Sequence, residues 1–600
     1  MMNDVERLYK MWSTDTFFRE ETRAELLAIQ DDPKEMEDRF YKDLSFGTGG
    51  LRGILGAGTN RMNVHTVAAA TAGMASYIQK EGSAAMQRGV AISYDSRKFS
   101  PEFAAVAAGV LTAAGIRVYL SDSLRPVPQL SYAVRYFHAV AGIMITASHN
   151  PPKYNGFKVY GEDGGQVTEE IAGAILSEIR GIDDLRTIAV ESTAAGKEKG
   201  LLSYFGEAFD LDYTQMIAKL LVDPTDVEKM QDMHIVYTPL HGSGNKPVRQ
   251  ILSHVGFRNI HVVADQEQPD GSFPTVKTPN PEDPAALAKG IALALETGSD
   301  LVIGTDPDCD RMGLAVRRTP DSDEFVALTG NQTGILLLDY ILSESQRSGT
   351  LREDAFVVST VVSGRLARRI CAHYRVELQT VLTGFKYIGE RILIDCEQGG
   401  RPFLFGYEES YGYLAGTEVR DKDAIVASML AAGMAAESAA RGESLVERLD
   451  ALYSKYGYGA EDAATFELEG KEGQETIAAV TAHLRGLSST ATGRDILFGL
   501  PIREVSDYQT GKSTIFDTAG TRSEDLSLPT SNVLIYEIGE DGEDWVCVRP
   551  SGTEPKLKLY FGVYGGVEPG EKARVDARIA QLKEQVSAGI RELIAQKESV

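Results

Sequence analysis

The stretch Ile143-Met144-Ile145-Thr146-Ala147-Ser148-His149-Asn150-Pro151-Pro152-Lys153-Tyr154-Asn155-Gly156-Phe157-Lys158 decides the fold class. Residues 139–146 form an apolar run too short for a helix and rich enough in branched side chains for a buried strand. A long polar loop follows, with the Asn, Pro and Gly of turn chemistry. Outward from this stretch, short apolar runs alternate with Ala-rich helical stretches. Helices are expected over 64–81, 101–114 and 171–180, and strands over 90–93 and 117–120. That alternation is the α/β signature.

The pattern fades over 186–205 and then resumes. A second α/β unit has strands near 234–237, 259–263 and 301–305, with helices near 246–255 and 284–297. A third has a helix at 333–343, strands at 356–360 and 402–407, and a helix at 422–440. Residues 453–473 read as a connection. The last unit differs: 532–538, 544–549 and 556–564 read as a hairpin and a further strand, and a helix near 570–597 follows. In 556–564, Leu557, Leu559, Phe561 and Val563 alternate with Lys556, Lys558 and Tyr560, which predicts a half-buried strand. Residues 3–40 read as helices from the spacing of Val5, Leu8, Tyr9 and Trp12. The expected architecture is three successive α/β domains with mixed sheets plus a smaller C-terminal α+β domain, around a central cleft. The boundaries are 1–40 (helical extension), 41–205, 206–325, 326–460 and 475–600.

Composition narrows the function. The chain has 600 residues, enough for about four domains. With 61 Lys+Arg against 86 Asp+Glu, the net charge is −25. That disfavours nucleic acid and anionic membrane surfaces as partners. The four cysteines, Cys309, Cys371, Cys396 and Cys547, are scattered and make neither a disulfide framework nor a CxxC metal site. No apolar run approaches the length of a membrane span, and residues 1–18 lack the apolar core of a signal peptide. A cytoplasmic location is expected.

Three short matches to known motifs fail on spacing. Gly511-Lys512-Ser513 has Ser506 where a phosphate-binding P-loop needs glycine. Gly47-Thr48-Gly49-Gly50 follows no apolar strand, as a dinucleotide loop would. Asp306-Pro307-Asp308-Cys309-Asp310 has arginines, Arg311 and Arg317, at the turn-glycine and final carboxylate positions of a calcium loop.

Four polar loops remain, one from each of the four expected units after the helical extension. Ser148 stands at the carboxyl end of a strand, where open α/β sheets place ligand sites; the stretch reads equally as a turn. His149 adjoins it, but sequence neighbours rarely meet as nucleophile and base. Asp306, Asp308 and Asp310 end the strand at 301–305. On an extended backbone they point the same way, and three like charges there suit Mg²⁺, a hard cation with oxygen ligands. Arg311 follows and suits a phosphate. Glu408 and Ser410, in 406–412, share a side and suit vicinal hydroxyls. Arg549 and Lys556 bracket Ser551, Gly552 and Thr553, a composition suited to a phosphate cradle of backbone N–H groups, hydroxyls and an Arg fork.

In these four loops, taken in order, the chain resembles the α-D-phosphohexomutase superfamily: 146–152 its phosphoserine loop, 306–311 its metal loop, 406–410 its sugar loop and 549–555 its phosphate loop. An early glycine-rich stretch at 46–53 matches too, with Arg52. The helical extension, Thr383-Gly384-Phe385-Lys386-Tyr387-Ile388-Gly389 and Glu408-Glu409-Ser410 resemble the longer subgroup of bacterial α-phosphoglucomutases and the phosphoglucomutase-2 type. The resemblance implies interconversion of α-D-glucose 1-phosphate and glucose 6-phosphate. Ser148 would carry the phosphoryl group, and Mg²⁺ would sit on Asp306, Asp308, Asp310 and a phosphoserine oxygen. Glucose 1,6-bisphosphate would be the intermediate and activator. Arg52, Arg311 and Lys386 would contact substrate. Relatives often carry His after the Glu-x-Ser pair, where Tyr411-Gly412 stand here. The general acid/base is therefore sought among Lys158, Lys422 and His149. Phosphopentomutase or phosphomannomutase by the same mechanism, a phosphatase, and a non-catalytic sugar-bisphosphate binder are the alternatives the sequence leaves open. It specifies no oligomeric state.

Overall fold

The computed structural model describes residues 4–44, 46–47, 49–468, 470–490, 495–517, 520–539, 542–551 and 555–598. The chain divides into two compact units: Met1–Thr333 with Ile388–Val446, and Gly334–Tyr387 with Glu447–Val600.

Three helices open the first unit, Asp4–Thr14, Glu20–Leu27 and Pro33–Phe40. The third starts on Asp32, whose side chain accepts the Glu35 N–H at 3.1 Å, with Pro33 at the first helical position. Trp12, Phe18, Leu26 and Phe40 close a small core.

A seven-stranded sheet follows: β1 (Phe46–Gly47), β2 (Gly50–Ile54), β3 (Val90–Tyr94), β4 (Val118–Ser121), β5 (Ala141–Ile145), β6 (Tyr154–Gly161) and β7 (Leu202–Phe205), in spatial order β1-β2-β6-β5-β3-β4-β7. β5, β3, β4 and β7 are parallel; β6, β2 and β1 run antiparallel on one side. Ile143 and Ile145 pack into a cluster with helices Val64–Glu81, Ser100–Ala113 and Glu169–Arg180. Met144 faces the opposite cluster, with Val127–Tyr136 and Glu207–Ala218. With both faces covered, the alternate residues of β5 are all apolar, and each large side chain contributes about 1.5–3 kcal/mol by burial. Because Tyr154–Gly161 is a strand, the polar loop after β5 is shorter than expected, only residues 146–153. Lys158 therefore stands on a strand, opposite Met144 of β5.

The second sheet runs β12-β11-β10-β8-β9, from β8 (His234–Thr238), β9 (Asn259–Val262), β10 (Leu301–Thr305), β11 (Met312–Arg317) and β12 (Phe325–Ala327). In the third α/β segment, β13 (Phe356–Thr360) and β14 (Glu377–Val381) pair in parallel within the second unit. β15 (Phe403–Glu408) and β16 (Gly412–Ala415) form an antiparallel hairpin in the first. Helix Ala424–Ala440 is buried without a break from Ala424 to Ser438, so its alanines serve close approach on every side.

The rest of the second unit is one antiparallel sheet, β17-β24-β23-β22-β19-β20-β21 with β18 beside β19. Its strands are β17 (Gly459–Glu467), β18 (Asp495–Leu497), β19 (Leu500–Asp507), β20 (Lys512–Asp517), β21 (Gly520–Asp525), β22 (Leu534–Ile538), β23 (Asp544–Pro550) and β24 (Lys556–Tyr564). Helix Glu571–Glu598 and the described part of Gly470–Thr490 pack on it around Val480, Leu484, Leu582 and Val586. β17 corrects the expected connection at 453–473. Its Ala-, Glu- and Asp-rich sequence has little β preference, but its full length pairs with β24. β24 is also buried on both faces from Leu559 onward rather than half-buried. Among the described residues, no helix is long and apolar enough to cross a membrane, and the four cysteines are free.

Candidate active site

Three loops of the first unit turn at their strand ends through a non-glycine residue in the left-handed region: Ser148 after β5 (φ 51°), Cys309 after β10 (φ 50°) and Tyr411 between β15 and β16 (φ 64°). Such backbone costs about 1–3 kcal/mol per residue and persists only where the surroundings enforce it.

Ser148 is 3% exposed. Its N–H donates to Thr146 Oγ1 at 2.8 Å, and its hydroxyl donates to Asp306 Oδ2 at 2.8 Å. His149 Nδ1 lies 3.0 Å from the same hydroxyl oxygen. The two neighbours do meet, against expectation, because the positive φ at Ser148 folds one side chain back over the next.

Asp306, Asp308 and Asp310 are buried, and one ligand oxygen from each lies within 4.8 Å of the others. The three carboxylates do not converge along the extended backbone that their i, i+2, i+4 spacing suggests. A tight turn, closed by Cys309 N–H donating to Asp306 O at 2.9 Å, swings the carboxylates together. Asp306 Oδ1 accepts the N–H groups of Asp310 and Arg311 at 3.1 and 3.0 Å. Asp308 Oδ2 accepts from Thr146 Oγ1 at 3.1 Å and from Lys158 Nζ at 3.0 Å. Asp308 Oδ1 and Asp310 Oδ1 are buried with no hydrogen-bond partner. Orphaned anionic oxygens are expensive in a protein interior, and three hard oxygen donors beside a serine hydroxyl are a donor set that fits a divalent cation.

The electrostatics agree. Burial, then the neighbouring Asp308 and Asp310, push the Asp306 carboxyl well above the usual range. Burial acts the same way on Asp310, but Lys422, Lys158 and Arg311 outweigh it and hold that carboxyl low. Lys158 loses solvation on burial, yet Asp308 and Asp310 raise it. Lys422 Nζ lies 3.0 Å from Asp421 Oδ1 and 3.3 Å from Asp310 Oδ2, and is raised by both against its burial. Burial, then Arg311 and Arg52, depress His149 well below its ordinary value, so its imidazole is neutral.

Arg311 donates to Glu282 Oε1 and, at 3.1 Å, to Ser410 O. It pairs with Gly412 in an isolated bridge, tying the loop after β10 to the turn between β15 and β16. Glu408 is buried at the end of β15, and Ser410 is half-buried. Gly330 passes beneath this loop, where a Cβ would fall 2.0 Å from Glu409 O. Arg52, on β2, donates to Asn150 Oδ1 at 3.2 Å. Ser148, His149, Lys158, Asp306, Asp308, Asp310, Arg311 and Lys422 thus form one cluster.

Lys386, Arg549, Ser551 and Lys556 belong to the second unit. There Ser551 N–H donates to Lys556 O at 2.8 Å, and Lys556 Nζ lies 3.0 Å from Glu467 Oε1. Gly552 and Thr553 lie outside the described residues. Sequence reasoning missed Asp95, Arg97, Thr146, Glu282 and Asp421. Asp95 and Arg97 follow β3, so the strand-end rule that found Ser148 would have reached them.

Comparison with known proteins matches the same three segments. Residues 43–186, 212–319 and 329–456 match alpha/beta/alpha domains I, II and III of phosphoglucomutase/phosphomannomutase. The phosphoglucomutase of Staphylococcus epidermidis is 37% identical over 531 residues, 88% of this chain and 92% of that one. The chain belongs to the phosphoglucomutase/phosphomannomutase family. The phosphoglucomutase of Staphylococcus aureus is 34% identical over 530 residues, 88% of this chain and 91% of that one. The family fold is also seen in two solved structures, each 17% identical. A phosphoglucomutase/phosphomannomutase family protein from Burkholderia thailandensis has a TM-score of 0.62, covering 92% of this chain and 97% of that one. The open form of pp63/parafusin, a phosphoglucomutase from Paramecium, has a TM-score of 0.63, covering 93% and 96%. Among these family segments, domain I carries Ser148 and domain II carries the aspartate triplet.

Proposed function

We propose that the protein interconverts α-D-glucose 1-phosphate and glucose 6-phosphate, with Ser148 as the phosphoryl carrier and glucose 1,6-bisphosphate as intermediate and activator. The observation that carries this is the Ser148 hydroxyl, buried and 2.8 Å from Asp306 Oδ2, at a carboxylate triplet with two orphaned oxygens. A serine among three carboxylates suits metal-assisted phosphoryl transfer.

Asp306, Asp308 and Asp310 would hold Mg²⁺, which supplies charge neutralisation at the transferring phosphoryl group. The substrate hydroxyl attacks phosphorus, the P–Oγ bond of phosphoserine breaks, and the hydroxyl proton ends on Ser148 Oγ. Lys158, an ammonium beside Asp308, donates to the phosphoryl oxygens; Lys422 and His149 stand next to it for proton movement. Glu408 and Ser410 read sugar hydroxyls. Arg52, Arg311 and Lys386 would bind substrate, and Arg549, Ser551, Gly552, Thr553 and Lys556 would bind its own phosphate. Positioning supplies most of the rate, since phosphoryl transfer asks for little covalent help. Domains at 41–205, 206–325, 326–460 and 475–600 then carry one loop each.

Mass spectrometry of the purified protein should find phosphate on the Ser148 peptide, and Ser148→Ala should remove nearly all mutase turnover. Phosphate on another residue, or activity within a few fold of wild type, refutes the assignment.

A further inference from the structure

One buried cation beside the phosphoserine loop has no part in the chemistry above. Arg97 is 2% exposed, and all five guanidinium N–H groups go to backbone carbonyls, four to the loop and one to the first residue of β6. Nε donates to Ser148 O at 3.2 Å. Nη1 donates to Pro151 O at 3.1 Å and Tyr154 O at 3.0 Å. Nη2 donates to Ser148 O and Asn150 O. Ser148, Asn150 and Pro151 lie outside the strands and Tyr154 opens β6, so three of the four carbonyls belong to no ladder. Four carbonyl dipoles converge on one point and repel unless a donor sits there. A planar fork with five donors satisfies them; a lysine with three does not.

Arg97 is itself fixed from three sides. The Phe273 ring lies 5.1 Å from its guanidinium carbon. Asp95 Oδ1 accepts the Arg97 backbone N–H at 2.9 Å, and Asp95 Oδ2 lies 3.5 Å from Nε. Asp95 Oδ2 also accepts from Thr146 Oγ1 at 2.6 Å, the hydroxyl that reaches Asp308. The guanidinium therefore spans from the carbonyl of Ser148 to the network of the aspartate triplet, yet it makes no bond to the Ser148 hydroxyl.

The geometry points to Arg97 as the positioning residue that holds Ser148, in its left-handed conformation, against the aspartate triplet. It sets the rate of phosphoryl transfer from Ser148 and leaves sugar affinity to other loops. This rests on the mutase reading above. A second consequence follows from the same bonds. A loop loosened at three carbonyls admits water to the phosphoserine, where water oxygen bonds to phosphorus, the P–Oγ bond breaks, and the water proton passes to Oγ. Loss of the fork raises this leak relative to transfer.

Arg97→Lys keeps the charge and removes the fork. Wild type and variant, primed with glucose 1,6-bisphosphate, are compared for kcat, for KM, and for inorganic phosphate released per isomer formed. The expected result is a kcat lower by about 100-fold, the cost of misplacing reacting groups by about 1 Å. KM should stay within about threefold and the phosphate-to-isomer ratio should rise at least about tenfold. A kcat within threefold of wild type overturns the inference. So does a loss carried mainly by KM, or a loss of kcat with an unchanged phosphate-to-isomer ratio, since a merely structural role would leave that ratio alone. Should Arg97→Lys fail to fold, Phe273→Leu, which removes only the ring against the guanidinium, decides by the same readouts. A kcat fall of about fivefold with a raised ratio is expected there, and an unchanged kcat overturns the inference. A wild-type protein with no phosphate on Ser148 and no turnover marks failure of the mutase reading instead.

Discussion

Lys158→Met should weaken catalysis and tighten metal binding at once. Lys158 Nζ lies 3.0 Å from Asp308 Oδ2 and 3.5 Å from Asp310 Oδ2. At an effective dielectric of about 20, charges at these separations attract by about 5 kcal/mol each before desolvation is subtracted. A divalent cation on the same carboxylates meets the ammonium with the opposite sign. Even a third of one such contact exceeds the about 1.4 kcal/mol that is a factor of ten in affinity. Methionine keeps the length and apolar stem and removes the charge. Titration calorimetry with Mg²⁺ on the dephosphorylated protein should therefore show affinity at least about tenfold tighter in the variant, while turnover falls by about 10²–10³-fold, the usual weight of one donor to developing negative charge. Without metal the variant should melt earlier, because Asp308 loses its close counter-charge and Asp310 one of its three, and saturating Mg²⁺ should return much of the difference. Equal or weaker Mg²⁺ affinity in Lys158→Met refutes the assignment of this lysine as the charge that balances the triplet.

Thr146→Val removes the hydroxyl that serves Asp95, Asp308 and the Ser148 N–H. Each buried group left unpaired costs about 1–3 kcal/mol, and a denaturant midpoint unchanged from wild type would contradict the bridge. Gly330→Ala places a methyl 2.0 Å from Glu409 O; kcat/KM should fall at least about tenfold as the sugar loop shifts, and unaltered kinetics would show that Glu408 and Ser410 do not depend on this close approach. His65 is boxed by Trp12, Phe17 and Phe18 with its Nε2 unpartnered, and burial pulls its imidazole down to about 4. The unfolded state then binds more protons between about pH 6.5 and 4, so stability falls as pH drops through that window, by up to about 3 kcal/mol. His65→Phe should flatten that slope in denaturation curves taken from pH 7 to 4; an unchanged slope assigns it to other groups.

Strands whose apolar run is bounded by turn residues were legible to the residue: β10 and β13 begin and end where Leu301-Val302-Ile303-Gly304-Thr305 and Phe356-Val357-Val358-Ser359-Thr360 do. Helix Val64–Glu81 is equally clear because Asn63 caps it with a reciprocal box. β17 was not legible, since its partner β24 lies nearly a hundred residues away and its own residues carry no alternation. In the site, residue types could be read but not the means of assembly. The aspartates meet through a left-handed turn at Cys309, and Ser148 meets His149 through another, and φ at a non-glycine residue leaves no mark in composition. Arg97 was passed over because an Asp-Ser-Arg triplet usually ends a strand in solvent; only burial gives its five donors their target.

The net charge of −25 bears on the site in a way that counting cations would miss. Arg311 is already paired with Glu282 and near Asp310, Lys422 with Asp421 and Asp310, and Lys158 with Asp308 and Asp310. Two of the three thus share Asp310 closely, so their attraction for a phosphosugar is partly spent inside the protein. Any charge that neutralises the triplet from outside releases Lys158 and Lys422 toward the phosphoryl oxygens in the same event. On the proposed function, metal binding and substrate binding should therefore be coupled through Asp310. If the triplet holds Mg²⁺ as proposed, the ion should raise affinity for the anionic substrate, and by linkage the substrate should raise affinity for Mg²⁺ by the same factor. An acidic protein can bind a small dianion this way because the local field, once the triplet is filled, is set by groups within a few ångströms and not by the distant solvated carboxylates that dominate the sum.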